Sequence, residues 1–157
     1  MSQADYFQFI FPARYIYIRP IRLFISELSK SVGFDKADAH VIETLLDEAC
    51  TNAIEHGSPK YSDNKITVNI FIDYEKLMVE VIDEGRGDLH LTKDEILKNY
   101  SITSLVDINK TILEKRGRGL YLMSQLADHL EIKPYLNNQG TTVVFYKYRK
   151  NVEKVAI

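Results

Sequence analysis

Two runs of alternating apolar and polar residues, Lys65 to Asp73 (KITVNIFID) and Leu77 to Asp83 (LMVEVID), stand three residues apart. Alternation at period two turns one face of each run to a core and the other away from it. The short Tyr74-Glu75-Lys76 connection makes them an antiparallel hairpin. A second pair, Leu130 to Tyr135 and Thr141 to Tyr148, is joined by the turn residues Asn137-Asn138-Gln139-Gly140. Asp5 to Phe11 is aromatic-rich and stopped by Pro12, which suits an edge strand. Such a sheet needs cover on its apolar face.

Helical periodicity supplies the cover. Asp35 reads as an N-cap, and Val41, Ile42, Leu45, Leu46, Ala49, Ala53 and Ile54 recur at helical spacing until Gly57, Ser58 and Pro59. An earlier helix is expected from about Arg19 to Val32, ended by Gly33, with Tyr15 to Ile18 extended before it. A third is expected from about Arg118 to Asp128. Between Glu84 and Arg116 the pattern loosens to short helical pieces, near Asp94 to Asn99 and Ile108 to Leu113. A stretch that long with weak structure is usually functional, often a lid. The expected architecture is an α+β sandwich, one antiparallel or mixed sheet with helices on one face, in a single domain over 1–157.

Composition narrows the partners. A 157-residue chain with 45% apolar and 27% charged residues is an ordinary one-domain globule. Its net charge of -2 gives no electrostatic reason to expect nucleic acid. The one cysteine, Cys50, excludes an internal disulfide and fits a reducing compartment. No apolar run approaches the ~20 residues of a membrane span. The start, MSQADYFQFIFPAR, lacks the basic opening of a signal peptide, so a cytoplasmic location is expected.

Four short stretches carry the chemistry. On the second helix Glu48, Asn52 and His56 are spaced four apart and share one stripe among apolar neighbours. The Asn52 amide oxygen can serve a hard cation such as Mg²⁺, and Glu48 can take a proton from an attacking hydroxyl. A solvated polar face accounts for this stretch taken alone about as well. Next, Asp83-Glu84-Gly85-Arg86-Gly87 follows a strand directly. Its glycines permit close backbone approach to a ligand, and Asp83 could accept a hydrogen bond from an exocyclic amine. A tight turn is the plainer alternative. Arg116-Gly117-Arg118-Gly119-Leu120 is expected to open the third helix, where free N–H groups and the helix dipole suit phosphate. Leu122 stands where a dinucleotide-fold motif would place its last glycine, and no Walker A pattern is present. Gly140-Thr141-Thr142 begins the last strand.

Taken in order, Glu-x-x-x-Asn on a helix, Asp-x-Gly-x-Gly, Gly-x-Gly-Leu and Gly-Thr resemble the motif series of the GHKL ATPases, over roughly Leu46 to Phe145. Within that superfamily the chain most resembles the bacterial anti-sigma factor serine kinases. The likeness lies in Glu48-Ala49-Cys50-Thr51-Asn52-Ala53-Ile54-Glu55-His56-Gly57, the Pro20 to Leu28 helix ending in Gly33-Phe34, the opening strand and the length. No histidine-bearing dimerisation helix precedes these motifs and no transducer domain follows them, unlike complete histidine kinases or gyrase-like ATPases.

The resemblance implies a Bergerat-type fold with a lid near 84–116, and ATP with Mg²⁺ as cofactors. Asn52 would bind Mg²⁺ and Glu48 would be the general base for a serine hydroxyl. Asp83 would recognise the adenine amine, with Thr141 or Thr142 nearby. Gly85, Gly87, Gly117 and Gly119, with Leu120, would shape the lid hinges and phosphate cradle. His56 matches a residue common in the family, with its role left open. The implied partners are a sigma factor and an anti-sigma factor antagonist, the protein substrate, in a homodimer that binds neither nucleic acid nor membrane. A nucleotide-gated switch without kinase activity, choosing between protein partners, is the alternative; plain ATP hydrolysis is a third.

Overall fold

The computed structural model describes residues 3–58, 63–85, 90–103 and 113–150. Asp73 makes the first hairpin tight: its Oδ1 accepts the N–H groups of Glu75 and Lys76 at 2.7 and 2.9 Å. A short polar side chain that mimics a turn carbonyl stops one strand and starts the next. The hairpin strands are β2 (Lys65–Ile72) and β3 (Lys76–Ile82). On one side β2 pairs with β1 (Asp5–Pro12), and on the other β3 pairs with β6 (Thr141–Tyr148). Beyond β6 lie β5 (His129–Pro134) and the two-residue β4 (Leu91–Thr92), in the order β1-β2-β3-β6-β5-β4. Each described pairing is antiparallel, so the sheet expected as antiparallel or mixed is of the first kind. As expected, β1 is an edge strand; β4 has no period-two signal to find in two residues.

One face of the sheet is apolar and covered. Ile66, Val68, Ile70 and Ile72 of β2 and Leu77, Val79 and Val81 of β3 are buried. They share a core with Ile42, Leu45, Leu46, Ala49 and Ala53 of α2 (Lys36–Gly57). Each fully buried Leu or Ile is worth roughly 1.5–3 kcal/mol, so this layer dominates stability. Asp35 caps α2 as its position suggested, accepting the Asp38 N–H at 2.7 Å. Helix α1 (Ile18–Ser31) lies beside α2, and its Phe24 ring meets Phe7 and Phe9 of β1 edge-on at 5.3 and 4.9 Å. Tyr15 to Tyr17, expected extended, form a 3-10 turn that leads into α1. Gly33 leaves the helix at φ 99°, a left-handed conformation suited to glycine.

The far end of α2 is tied to the last strand by charge. Lys147 Nζ lies 4.0 Å from Asp38 and 3.6 Å from Asp128, and Lys150 reaches Asp38 at 3.0 Å. In the loosely patterned segment, the piece expected at Asp94 to Asn99 is a longer helix, α3 (Lys93–Thr103). The piece expected at Ile108 to Leu113 falls almost wholly outside the described residues. Helix α4 spans Leu113–Leu126, starting five residues before the expected Arg118. Leu120, Met123 and Ala127 bury one side of this segment, and such packing outweighs the ~1 kcal/mol that a glycine costs in a helix.

Candidate functional site

The last two turns of α2, the end of β3, the start of β6 and the middle of α4 converge on one small pocket. It is lined by Asn52, Ala53, Asp83, Leu120, Ile132, Thr141 and Val143. Three of the residues singled out from motifs far apart in sequence, Asn52, Asp83 and Thr141, are thereby brought together, with Leu120 as apolar cover. Ala53, Ile132 and Val143 also line it. Their sequence signal was core periodicity, which does not tell a pocket wall from a packed interior.

Asp83 stands where β3 runs out, and it is 4% exposed. Its Oδ1 accepts two backbone N–H groups, from Gly85 at 2.9 Å and Thr141 at 3.1 Å. The Asp83 N–H in turn donates to the Thr141 carbonyl at 3.0 Å, so the end of β3 and the start of β6 are locked together. The Asp83-Glu84-Gly85 segment is therefore both a turn and a fixed acidic group at the pocket. Gly87 lies outside the described residues, as does much of the expected lid.

Asn52 and Glu48 sit one turn apart on α2. Asn52 is 8% exposed, and its Nδ2 is buried with no hydrogen-bond partner. An unsatisfied buried amide costs about 1–3 kcal/mol, so this group is suited to something that arrives from outside. Among the described residues no cluster of three or more His, Cys, Asp or Glu could hold a metal ion. Mg²⁺ does not need one, because it commonly takes one or two protein oxygens and completes its shell with phosphates and water. The orphaned Nδ2 is a hydrogen-bond donor and suits an incoming acceptor, while the Oδ1 of the same amide is the oxygen that fits that donor set.

The Glu48 carboxyl has a raised pKa, first through burial and then through the negative charges of Asp47 and Glu55. Helix α4 presses directly on it. A Cβ placed on Gly119 would lie 2.5 Å from Glu48 Oε2 and 3.8 Å from Asn52 Nδ2. The structure thus corrects the expected setting of Gly117 and Gly119. They lie inside α4, beyond the first four residues whose N–H groups are free, and not ahead of its N-terminus. In this arrangement Gly119 lets two helices touch at the carboxylate. Arg118 is exposed. His56 is half-buried at the end of α2, its Nε2 3.8 Å from Glu55.

Two glycines matter more here than their sequence context suggested. Gly57 ends α2 against the Asp83 side chain, and Gly140, at φ 153°, passes over the Asp83 carbonyl. From sequence, Gly57 reads as the end of α2 and of the Glu48–Gly57 stretch, and Gly140 as the start of the Gly-Thr motif; neither reading joins them to the Asp83 side chain. Cys50 is fully buried, and burial pushes its thiol pKa up, which makes it an inert core residue. Among the described residues no helix is long and apolar enough to cross a membrane.

Known proteins resemble this chain in sequence and in fold. The family model described as "Histidine kinase-like ATPase domain" matches residues 11–147. Serine-protein kinase RsbW of Bacillus subtilis is 30% identical over 147 residues, covering 94% of this chain and 88% of that protein. Its counterpart in Bacillus licheniformis is 31% identical, over 92% and 86%. Among solved structures, the RsbU and RsbW domains of Rv1364c from Mycobacterium tuberculosis superpose with a TM-score of 0.60 at 19% identity. That match covers 90% of this chain and 32% of that one. The catalytic domain of histidine kinase ThkA gives a TM-score of 0.51 at 19% identity, covering 91% and 97%. At 19% identity these structures speak for the fold, whereas the family model and the RsbW kinases speak for kinship. The chain belongs to the histidine kinase-like ATPase family and, within it, to the anti-sigma factor serine kinases.

Proposed function

We propose that the chain is a Mg-ATP-dependent protein-serine kinase whose substrate is a serine of an anti-sigma factor antagonist, and that it also binds a sigma factor. The observation that carries this reading is the Glu48 carboxylate one turn from Asn52, both against Gly119 of α4. A carboxylate at that place is where transfer to a hydroxyl would need its general base. When bound, Mg-ATP supplies the transferable phosphoryl group, and positioning and charge neutralisation do most of the catalytic work.

In this reading Asp83 accepts a hydrogen bond from the adenine amine, and Thr141 holds Asp83 in place. Asn52 offers its amide oxygen to Mg²⁺. Leu120 covers the base, Gly85 and Gly87 allow backbone to approach the ligand, and Gly119 lets α4 lie against Glu48. Glu48 takes the proton of the incoming serine hydroxyl at its carboxylate. Its raised pKa makes it a better proton acceptor than an ordinary glutamate. The homodimer is supported by the open edge of β1, where Tyr6 and Ile10 are exposed. A sigma-factor partner would place the protein in the cytoplasm.

The test uses labelled ATP, the antagonist protein and Glu48→Gln. Transfer is expected to fall about 10²–10⁴-fold, the usual share of a general base, with Mg-ATP affinity close to normal by calorimetry. Wild-type transfer by the variant removes Glu48 as the base. A second reading, a nucleotide-gated switch without transfer, is favoured by the closeness of α4 to Glu48, which covers the carboxylate. It is supported if the wild-type protein binds Mg-ATP and exchanges partners but labels no protein.

A further inference from the structure

Gly57 occupies the last position of α2 with no conformational reason to be glycine. It is helical, and among the described residues the positive-φ glycines are Gly33 and Gly140. An alanine would suit a helix better by up to ~1 kcal/mol. What forbids it is space. A Cβ at Gly57 would lie 2.1 Å from Asp83 Cγ, 2.3 Å from Oδ2 and 2.6 Å from Cβ. Non-bonded carbons rest at about 3.5–4.0 Å, so the carboxylate would have to leave.

Asp83 cannot yield cheaply. Its side chain is short, and its Oδ1 is held by the N–H groups of Gly85 and Thr141. Swinging the carboxylate away from residue 57 would break both bonds. The neighbouring glycines play a different part, because a Cβ on Gly85 would meet the Gly57 carbonyl and one on Gly140 the Asp83 carbonyl, backbone in both cases. Of these three, Gly57 is the one that faces the functional side chain.

We propose that Gly57 is a positioning residue that sets the Asp83 rotamer and thereby the pocket's preference for a 6-amino over a 6-oxo purine. This rests on the reading of Asp83 as the group that receives the adenine amine. The Oδ2 atom, the oxygen lying against Gly57, is the one assigned to the base.

The experiment measures ATP and GTP affinities by calorimetry, together with thermal unfolding, for wild type, Asp83→Asn, Asp83→Gly, Gly57→Ala and the double variant Gly57→Ala/Asp83→Gly. In Gly57→Ala, ATP affinity should fall about tenfold or more and the ATP-over-GTP preference should shrink to that of Asp83→Asn. Gly57→Ala alone should unfold below wild type. The double variant should unfold no lower than Asp83→Gly, because the added methyl takes the space the carboxylate has left. If Gly57→Ala is too unstable to titrate, this rescue decides the matter. Wild-type nucleotide preference in Gly57→Ala, with that preference lost in Asp83→Asn, overturns the proposal while leaving the base reading intact. Unchanged preference in Asp83→Asn overturns the base reading and the selectivity claim with it. A double variant that suffers from the methyl as much as wild type does overturns the assignment of Gly57 to Asp83.

Discussion

Replacing Gly119 with alanine separates catalysis from stability on one methyl group. The new Cβ would stand 2.5 Å from Glu48 Oε2, whereas ordinary contact begins at 3.4 Å. The carboxylate must therefore retreat by about 1 Å, a displacement that can cost ~10²-fold in rate when it moves a reacting group. Asn52 Nδ2, at 3.8 Å from the same Cβ, is already at ordinary contact distance and stays where it is. Stability should hardly suffer. Glu48 offers the far end of a flexible side chain, so the clash is relieved by rotation, and alanine adds up to ~1 kcal/mol of helix propensity. For a chain of this size that gain corresponds to roughly 2–4 °C in Tm. The assay is single-turnover transfer of labelled phosphate to the antagonist, run beside calorimetry for Mg-ATP and a melting curve. The expected pattern is a rate lower by about 10²-fold, near-normal nucleotide affinity and an unchanged or slightly raised Tm. A folded Gly119→Ala protein that transfers at the wild-type rate would refute the reasoning, since Glu48 would then be able to work from its displaced position.

The remaining expectations are simpler. Because the Glu48 pKa is raised in the fold, the acid limb of the pH–rate profile should lie above the usual glutamate range and disappear in Glu48→Gln. The same shift means the folded state holds its proton more tightly than the unfolded chain. The carboxylate therefore opposes folding increasingly as pH rises from the ordinary glutamate value through the raised one. Glu48→Gln should accordingly melt higher than wild type at neutral pH and lose that advantage in acid; an equal difference at all pH values would contradict the burial cause. Asp35→Ala removes the cap of α2 and should cost ~1 kcal/mol by chemical denaturation, with Asp35→Asn largely restoring it.

Much of this architecture was legible because its signals are local. Alternation in β2 and β3, the Asp35 cap and the α2 periodicity each draw on neighbours within a few residues, and the structure follows them. The convergence of Asn52, Asp83 and Thr141 was accessible through motif order, although no local rule joins residues so far apart. Two things escaped for opposite reasons. The start of α4 escaped because Gly117 and Gly119 look like helix breakers, while Leu120, Met123 and Ala127 hold the segment helical from the inside. Gly57 escaped because a glycine after a helical run already has a sufficient local explanation. Its close neighbour, Asp83, follows β3, far from it in sequence.

Helix α2 also has a metric consequence. At 22 residues it measures about 33 Å, and under the proposed function it carries Asn52 for one end of the nucleotide and Gly57, packed against Asp83, for the other. The interval between those ends is counted in residues of one rod. Adding or deleting one residue between Asn52 and Gly57 would rotate one end against the other by about 100° and shift it by about 1.5 Å. Neither error can be absorbed by side-chain motion. The Leu136–Asn138 turn at the tip of the β5–β6 hairpin carries no such measurement and can change length without altering this interval. Grafting the site onto another scaffold would therefore require carrying over the Asn52 to Gly57 spacing unbroken.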